Sequence, residues 1–279
     1  MTLRNESRTR AARRKLLRAG AALGLSAPIL SACASRPVNR IPAPSGFIPE
    51  PRPLSGERWR YAIINRYNGE TIDEVTATVS QVYPETTIEL VDRNGKKLPS
   101  ERYDSPWQIR QEPFYNETLV FDQSVPLIPR KLAVGAQETH ETQFRLPGSD
   151  NPHPWVVTLS VDGWERLKVP AGTYDTVRID RQISFESPDL FRRGSRRVDT
   201  IWYAPVVNRW VRREWTGYYF EDGPDPFGLF DRHGFYGHGY HLRRDKSLLF
   251  GFGSRHMQEE REDSISWVLL QHQAAPVAS

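Results

Sequence analysis

From Glu57 onward the apolar residues of this chain recur at every second position, and that spacing commits most of it to β-strand. In the segment Ile72 to Val82, Val75, Ala77 and Val79 alternate with Thr76, Thr78 and Ser80, the pattern of a strand with one wet face. Asn68-Gly69 separates that segment from Trp59 to Arg66, and Asn94-Gly95 follows Thr87 to Asp92. Asn-Gly adopts the positive φ angles of a two-residue hairpin turn, so both pairs predict hairpins. Trp155 to Val161, Asp162-Gly163 and Trp164 to Val169 read as a further hairpin, and Pro170-Ala171-Gly172 leads into Thr173 to Phe185. Val198 to Ala204, Asn208 to Glu214, Trp215 to Phe220 and Ser264 to His272 are the remaining strand candidates. No amphipathic helix interrupts them. The expectation is an all-β domain over 55–279, an antiparallel curved sheet closed as a sandwich or a half-open barrel. Pro53 to Trp59 and Val125 to Gly135 open strand runs in loosely similar ways, which suggests related halves at about 55–124 and 125–279.

The N-terminal segment has a different chemistry. Residues 1–32 have a basic start, an apolar stretch from Ala19 to Leu30, and small residues before Cys33, the parts of a signal peptide. The apolar stretch is short against the roughly 20 residues a spanning helix needs. Leu30-Ser31-Ala32-Cys33 resembles the lipobox of bacterial lipoproteins, which makes Cys33 the expected lipidation site, carrying diacylglycerol and palmitate. By the same resemblance, Ala34 points to the outer membrane. Arg13-Arg14-Lys15-Leu16-Leu17 resembles a twin-arginine export motif, from which it departs at Ala12 and Leu16. Cys33 is the only cysteine, so the chain has no internal disulfide and no cysteine metal cage. Six prolines in residues 34–53 make 33–54 an acylated cysteine followed by an extended tether. The signal segment holds seven of the 38 Lys and Arg and one of the 34 Asp and Glu, leaving 31 against 33, a formal charge of −2. Nucleic acid as a partner is thereby disfavoured.

Val161 to Tyr174 resembles a recurring pattern of envelope proteins in which a hairpin leads to Val-Pro-Ala-Gly-Thr-Phe, here Val169-Pro170-Ala171-Gly172-Thr173-Tyr174, and then a strand. Ile201-Trp202-Tyr203-Ala204-Pro205 followed by Val207 to Glu214 is similar to its usual companion, and Gly56-Glu57-Arg58-Trp59-Arg60-Tyr61 resembles the opening segment of related lipoproteins. Together they resemble the DUF3108 and TapB-like group of bacterial envelope β proteins. The chain departs from that pattern at Trp164, at Tyr174 in place of Phe, and at Asn208 where Gly is usual. The resemblance implies an envelope β fold and carries no catalytic residues.

Three sets of side chains are candidates for chemistry. Trp59, Trp155 and Trp202 would line an apolar cavity for an amphiphile. Arg192, Arg193, Arg196 and Arg197 form the sharpest basic cluster, and paired guanidiniums suit phosphate or carboxylate. Residues 221–256 form a Gly-, His- and aromatic-rich loop in which His238 and His241 lie three positions apart and could share a metal ion. No Gly-x-Ser-x-Gly elbow, phosphate loop or His-Glu-x-x-His helix occurs, and no cofactor is implied. The chain therefore reads as an outer-membrane lipoprotein, lipid-anchored at Cys33 and facing the periplasm. It would bind an envelope lipid, glycan or protein partner without catalysis. The alternative is a hydrolase or metal-dependent enzyme centred on 221–256.

Overall fold

The computed structural model describes residues 39–44, 51–114, 117–188, 192–222 and 257–276. Its strands are β1 (Arg40–Ile41), β2 (Arg58–Asn65), β3 (Thr71–Gln81), β4 (Thr86–Asp92), β5 (Lys97–Ser105), β6 (Gln108–Phe114), β7 (Glu117–Pro126), β8 (Gln137–Arg145), β9 (His153–Val169), β10 (Gly172–Phe185), β11 (Arg192–Ala204), β12 (Arg209–Asp222) and β13 (Met257–Gln273). One 3-10 turn, Pro205–Val207, joins β11 to β12. From β2 to β13 each strand pairs antiparallel with its neighbour in sequence. β13 then returns to β2, with Ile265 opposite Asn65 and Gln273 opposite Arg58, so the sheet closes into a twelve-stranded barrel. The all-β antiparallel expectation holds, and closure replaces the sandwich: one continuous sheet faces itself, and neither β2 nor β13 is left as an edge.

β9 carries two partners on one side. β8 covers its first half, from His153–Phe144 to Ser160–Gln137, and β1 covers Trp164 and Glu165 nearer its end. Asp162-Gly163, expected as a turn, is instead a bulge in this 17-residue strand. Val161 lies opposite Ile179 and Gly163 opposite Arg178, leaving Asp162 as the extra residue. Gly163 has φ +157°, and a Cβ there would come 3.1 Å from Arg40 Nη1. The bulge thus makes room for the guanidinium that ties β1 to Asp162 at 3.0 Å. Bulges of this kind add the local bend that a closed sheet requires.

Antiparallel order also sorts the connections between the two ends of the barrel. One end, here the tether end, gathers residues 51–57, the turn 82–85, the turn at Pro106-Trp107, the loop 127–136, the turn Pro170-Ala171, the 3-10 turn and residues 274–276. The far end gathers the turns 66–70 and 93–96, and there β12 ends at Asp222 and β13 begins at Met257. The tether end is stoppered. Trp59 Nε1 donates to Val207 O at 2.8 Å, Ala171 N donates to Leu269 O at 3.2 Å, and Leu127 N donates to Trp107 O at 2.8 Å. Trp107 takes φ +60°, a region that bulky residues rarely occupy, yet only 1% of its surface is exposed. Burial of a whole indole beneath Tyr103 and Trp210 offsets that strain.

Barrel diameter grows with strand number, and eight strands already enclose a lumen that side chains just fill. Twelve strands need the largest residues, and these are what the lumen holds. Trp59, Trp107, Trp155, Trp210, Tyr61, Tyr103, Tyr203, Phe121, Phe144, Arg181 and Arg209 are all fully buried. Phe114, Phe121, Phe144, Trp155 and Phe185 pack edge-to-face or tilted towards the far end, with ring centroids 5.1 to 6.5 Å apart.

The β7–β8 seam is thin, with only Val120–Arg145 and Phe121–Phe144 in register. Beyond them the Thr142 hydroxyl accepts from Gln123 N and donates to Gln123 O, both at 3.2 Å, in place of ladder bonds. Thr142→Val keeps the shape and removes this bridge, at a cost of about 1 kcal/mol. Hydrogen exchange of β7 amides around Gln123 should accelerate while β9 to β12 stay protected. Unchanged β7 protection would show that the seam does not depend on this hydroxyl.

Candidate functional site

Charged side chains enter the lumen because strand alternation carries them there. On β10 the inward positions run Val177, Ile179, Arg181, Ile183, and on β11 they run Ser195, Arg197, Asp199, Ile201, Tyr203. β12 contributes Arg213 opposite Ile201 and Trp215 opposite Asp199. Buried charges persist only when paired, and these pair in layers.

Nearest the tether end, His272 Nε2 lies 3.0 Å from Glu57 Oε1 and its ring stacks on Trp59. Asn208, at φ +55° after the 3-10 turn, donates from Nδ2 to Arg52 O and to Glu57. These side-chain amide bonds are ones that a glycine at this position could not make. In the next layer Arg209 Nη2 donates to both oxygens of Glu101, at 2.9 and 2.7 Å, reaching from β12 to β5 on the facing wall. Its guanidinium stacks 3.7 Å from the Trp210 ring and 5.2 Å from Trp59. Tyr103 donates to Glu101 at 2.8 Å, and Tyr61 donates to Trp210 O at 2.8 Å. Burial pushes both phenols well above their ordinary range. Arg209 Nε and Nη1 have no hydrogen-bond partner among the described residues, and the surrounding indole and phenol rings pack against the guanidinium instead.

The third layer differs. Asp199 accepts from Arg197 Nε, from Arg181 Nη1 at 3.0 Å and from Arg213 Nη2 at 2.8 Å. Arg213 also faces Glu112 of β6 across the lumen at 3.6 Å. Arg197 lies 4.4 Å over the Phe114 ring and 4.5 Å over Trp215. Burial alone would raise the Asp199 carboxyl, but three guanidiniums outweigh it and hold it well below the usual carboxylate range. Arg213 is likewise desolvated, and Asp199 and Glu112 more than compensate. Arg181 is not compensated in this way. Burial lowers its pKa, Asp199 and Glu112 offset only part of the loss, and Arg213 and Arg197 repel it. Its Nε and Nη2 have no hydrogen-bond partner among the described residues, nor does Glu112 Oε1. Arg213 Nε and the Ser195 hydroxyl are likewise without partners, so the layer presents three unmet guanidinium nitrogens, a hydroxyl and one unmet carboxylate oxygen. A polar group with an acidic oxygen and a hydroxyl would satisfy both kinds of group.

The expected site residues do not converge on a single place. Trp59 is packed near the tether end, and Trp155 belongs to the aromatic cluster towards the far end. Trp202 lies on the outer wall between Arg178 and Arg212, its indole donating to Glu165. Arg196 is exposed on the outer wall while Arg197 is buried in the lumen, because successive residues of a strand face opposite ways. Arg192 and Arg193 begin β11, and their side chains lie outside the described residues, as do His238, His241 and Cys33. Arg181, Glu101 and Glu112 were not anticipated. The signal for Arg181 was a charge at an apolar position of a period-two run, between Ile179 and Ile183. Glu101 and Glu112 lie on strands without clear apolar alternation.

No protein-family model matches the chain, and no curated protein matches it. Among solved structures, the chain is similar to a candidate lipoprotein from Parabacteroides distasonis, with 11% identity over 83% of this chain and 100% of that one and a TM-score of 0.44. It is also similar to an exported protein with a YmcC-like fold from Bacteroides fragilis, with 13% identity over 85% and 99% and a TM-score of 0.40. A third is the hypothetical lipoprotein YmcC from Escherichia coli, with 11% identity over 57% and 75% and a TM-score of 0.36. None of these likenesses gives a residue of this chain a role.

Asp199→Asn would leave three buried guanidiniums around a neutral amide and should destabilise the barrel by about 3–5 kcal/mol. The sign of the pH dependence follows from the depressed carboxyl. The Asp199 contribution is complete above about pH 4, the unfolded value, and is lost as pH falls below it. Acid unfolding followed by tryptophan fluorescence should therefore be steeper in the wild type than in Asp199→Asn. Equal slopes would remove Asp199 as the acid-sensitive group.

Proposed function

We propose that this protein is an outer-membrane lipoprotein of the DUF3108 and TapB-like group, anchored through Cys33 and facing the periplasm. In this reading it binds an acidic envelope component without catalysis. The anchor rests on Leu30-Ser31-Ala32-Cys33 and the basic and apolar segments before it. Two connections support the group: Val169 to Thr173 leads into β10 as its motif does, though through a turn of its own in place of the expected Asp162-Gly163 hairpin, and Tyr203 to Asn208 joins β11 to β12. The observation that carries binding is Arg181. Arg181 is fully buried, meets a carboxylate through one of its three nitrogens and shares that carboxylate with Arg197 and Arg213, so its layer holds three guanidiniums against the two carboxylates Asp199 and Glu112. It is what an acidic glycan or a phosphate-bearing headgroup would use. With Trp59 and Trp155 packed into the lumen, recognition through a polar headgroup fits better than an apolar cavity between tryptophans.

Two measurements test the two parts. Cells grown with labelled palmitate should label the wild type and leave Cys33→Ser unlabelled, with a matching increase in intact mass; absence of label in the wild type would end the anchor reading. For binding, glucuronate and inorganic phosphate serve as probes, with glucose as the neutral control. A ligand at 100 times its Kd raises stability by about 2.7 kcal/mol. An acidic probe should raise the Tm of the wild type and leave Arg181→Met unmoved. Arg181→Met should be no less stable than the wild type without ligand, because an unsupported buried charge is gone. If neither acidic probe shifts the wild type, this site does not bind such groups.

A further inference from the structure

The path of the chain into the barrel says which end stands nearest its anchor. β1 is antiparallel to β9, and Arg166 N donates to Asn39 O at 2.9 Å beyond the Arg40–Glu165 pair. β9 runs from the far end to Val169 at the tether end, so β1 enters from the tether end. Asn39 lies six positions after Cys33, a reach of six residue steps. Fully extended they span about 20 Å at most. An acyl chain on Cys33 therefore holds the tether end against the bilayer, within less than the length of a long strand.

The composition of that end matches the position. Exposed large apolar side chains gather there: Tyr83 (84%), Val206 (74%), Val134 (59%), Leu54 (57%) and Val82 (45%). They come from four separate connections, none of which needs them for packing. Among the described residues, Tyr67 and Ile72 are the comparably exposed ones at the far end. Charge agrees. Arg52, Arg58, Arg130, Lys131 and Lys168 are exposed at or beside the tether end and form no ion pair among the described residues. The acids of the same end are occupied: Glu57 by His272, Glu85 by Arg102, Glu101 by Arg209 and Asp104 by Arg110. Apolar tips within a ring of free cations suit the headgroup region of an anionic leaflet.

We infer that the tether end of the barrel is a membrane-contact surface, seated on the leaflet that holds Cys33, with Leu54, Val82, Tyr83, Val134 and Val206 at lipid level. The inference rests on the Cys33 anchor for its geometry, while the surface can be read separately. Single cysteines replace Tyr83, Val206 or, at the far end, Tyr67, and carry an environment-sensitive fluorophore. Each is introduced into the acylated chain and into the Cys33→Ser chain. Both sets are mixed with vesicles of phosphatidylethanolamine and phosphatidylglycerol. Labels on Tyr83→Cys and Val206→Cys should shift to the blue and become shielded from an aqueous quencher, while the label on Tyr67→Cys stays in water. Contact at Tyr67, or at none of the three in the acylated chain, overturns the inference. An intact mass without acyl groups would instead defeat the anchor reading, and the Cys33→Ser set would still report on the surface. Replacing Leu54, Tyr83, Val134 and Val206 together by serine should weaken vesicle partitioning of the Cys33→Ser chain more than tenfold with its circular dichroism unchanged. An unaltered partition would also count against the surface.

Discussion

The Arg209–Glu101 pair reaches across the lumen, and the shape of the barrel depends on it. A twelve-stranded sheet closed as a round cylinder would enclose more space than aliphatic side chains can fill. Here opposing walls approach closely enough for a guanidinium on β12 to meet a carboxylate on β5 directly, with indoles packed on the cation. Ion pairs of this kind add little net stability over a well-packed apolar core, because desolvation consumes much of the Coulomb gain. Their geometry, however, is demanding. A shift of β12 by one residue would turn Arg209 and Arg213 outward and leave Glu101 and Glu112 buried alone. The charges thereby select one register among many that would bury similar apolar area.

The layers of the lumen are graded from tether end to far end. In the lowest two, Glu57 meets His272 and Glu101 meets Arg209, and aromatic rings seal the mouth, while Arg209 Nε and Nη1 have no hydrogen-bond partner among the described residues. The third, around Asp199, retains donor and acceptor atoms without partners. Beyond it lies the aromatic cluster of Phe114, Trp155 and Phe185. Unmet polar atoms occur both in the Arg209 layer and in the Asp199 layer, but only the latter sets three guanidiniums against two carboxylates.

Much of the architecture was legible in the sequence, for reasons that the exceptions clarify. Asn68-Gly69 and Asn94-Gly95 lie in hairpin connections, 66–70 and 93–96, in which the glycine alone takes the positive φ, a requirement that is local. Asp162-Gly163 has similar chemistry but became a bulge, since pairing with β10 continues on both sides of it. The strands between Lys97 and Arg145 were missed. β8 alternates Glu138, His140 and Thr142 with Glu141 and Gln143, so neither face is apolar. Its place is set by its neighbours β7 and β9. The arginine cluster failed for a related reason: adjacency in sequence means opposite faces in a strand, so Arg196 and Arg197 part, and Arg197 joins Arg181 and Arg213 from other strands. Pairings set by closure, such as Arg209 with Glu101, leave no mark in local spacing.

The pairing of β13 with β2 has a consequence for how the molecule comes into being. The first and last strands of the barrel are joined only after the whole chain between them exists. Until then β2 and β12 each present a long row of unpaired amides and carbonyls, the kind of edge that recruits other chains. Loop closure over such a separation is slow compared with forming the hairpins it unites. The chain therefore carries its greatest hazard before its last seventeen-residue strand is in place. A product shortened ahead of Met257 would be an open sheet prone to assembling with its own kind.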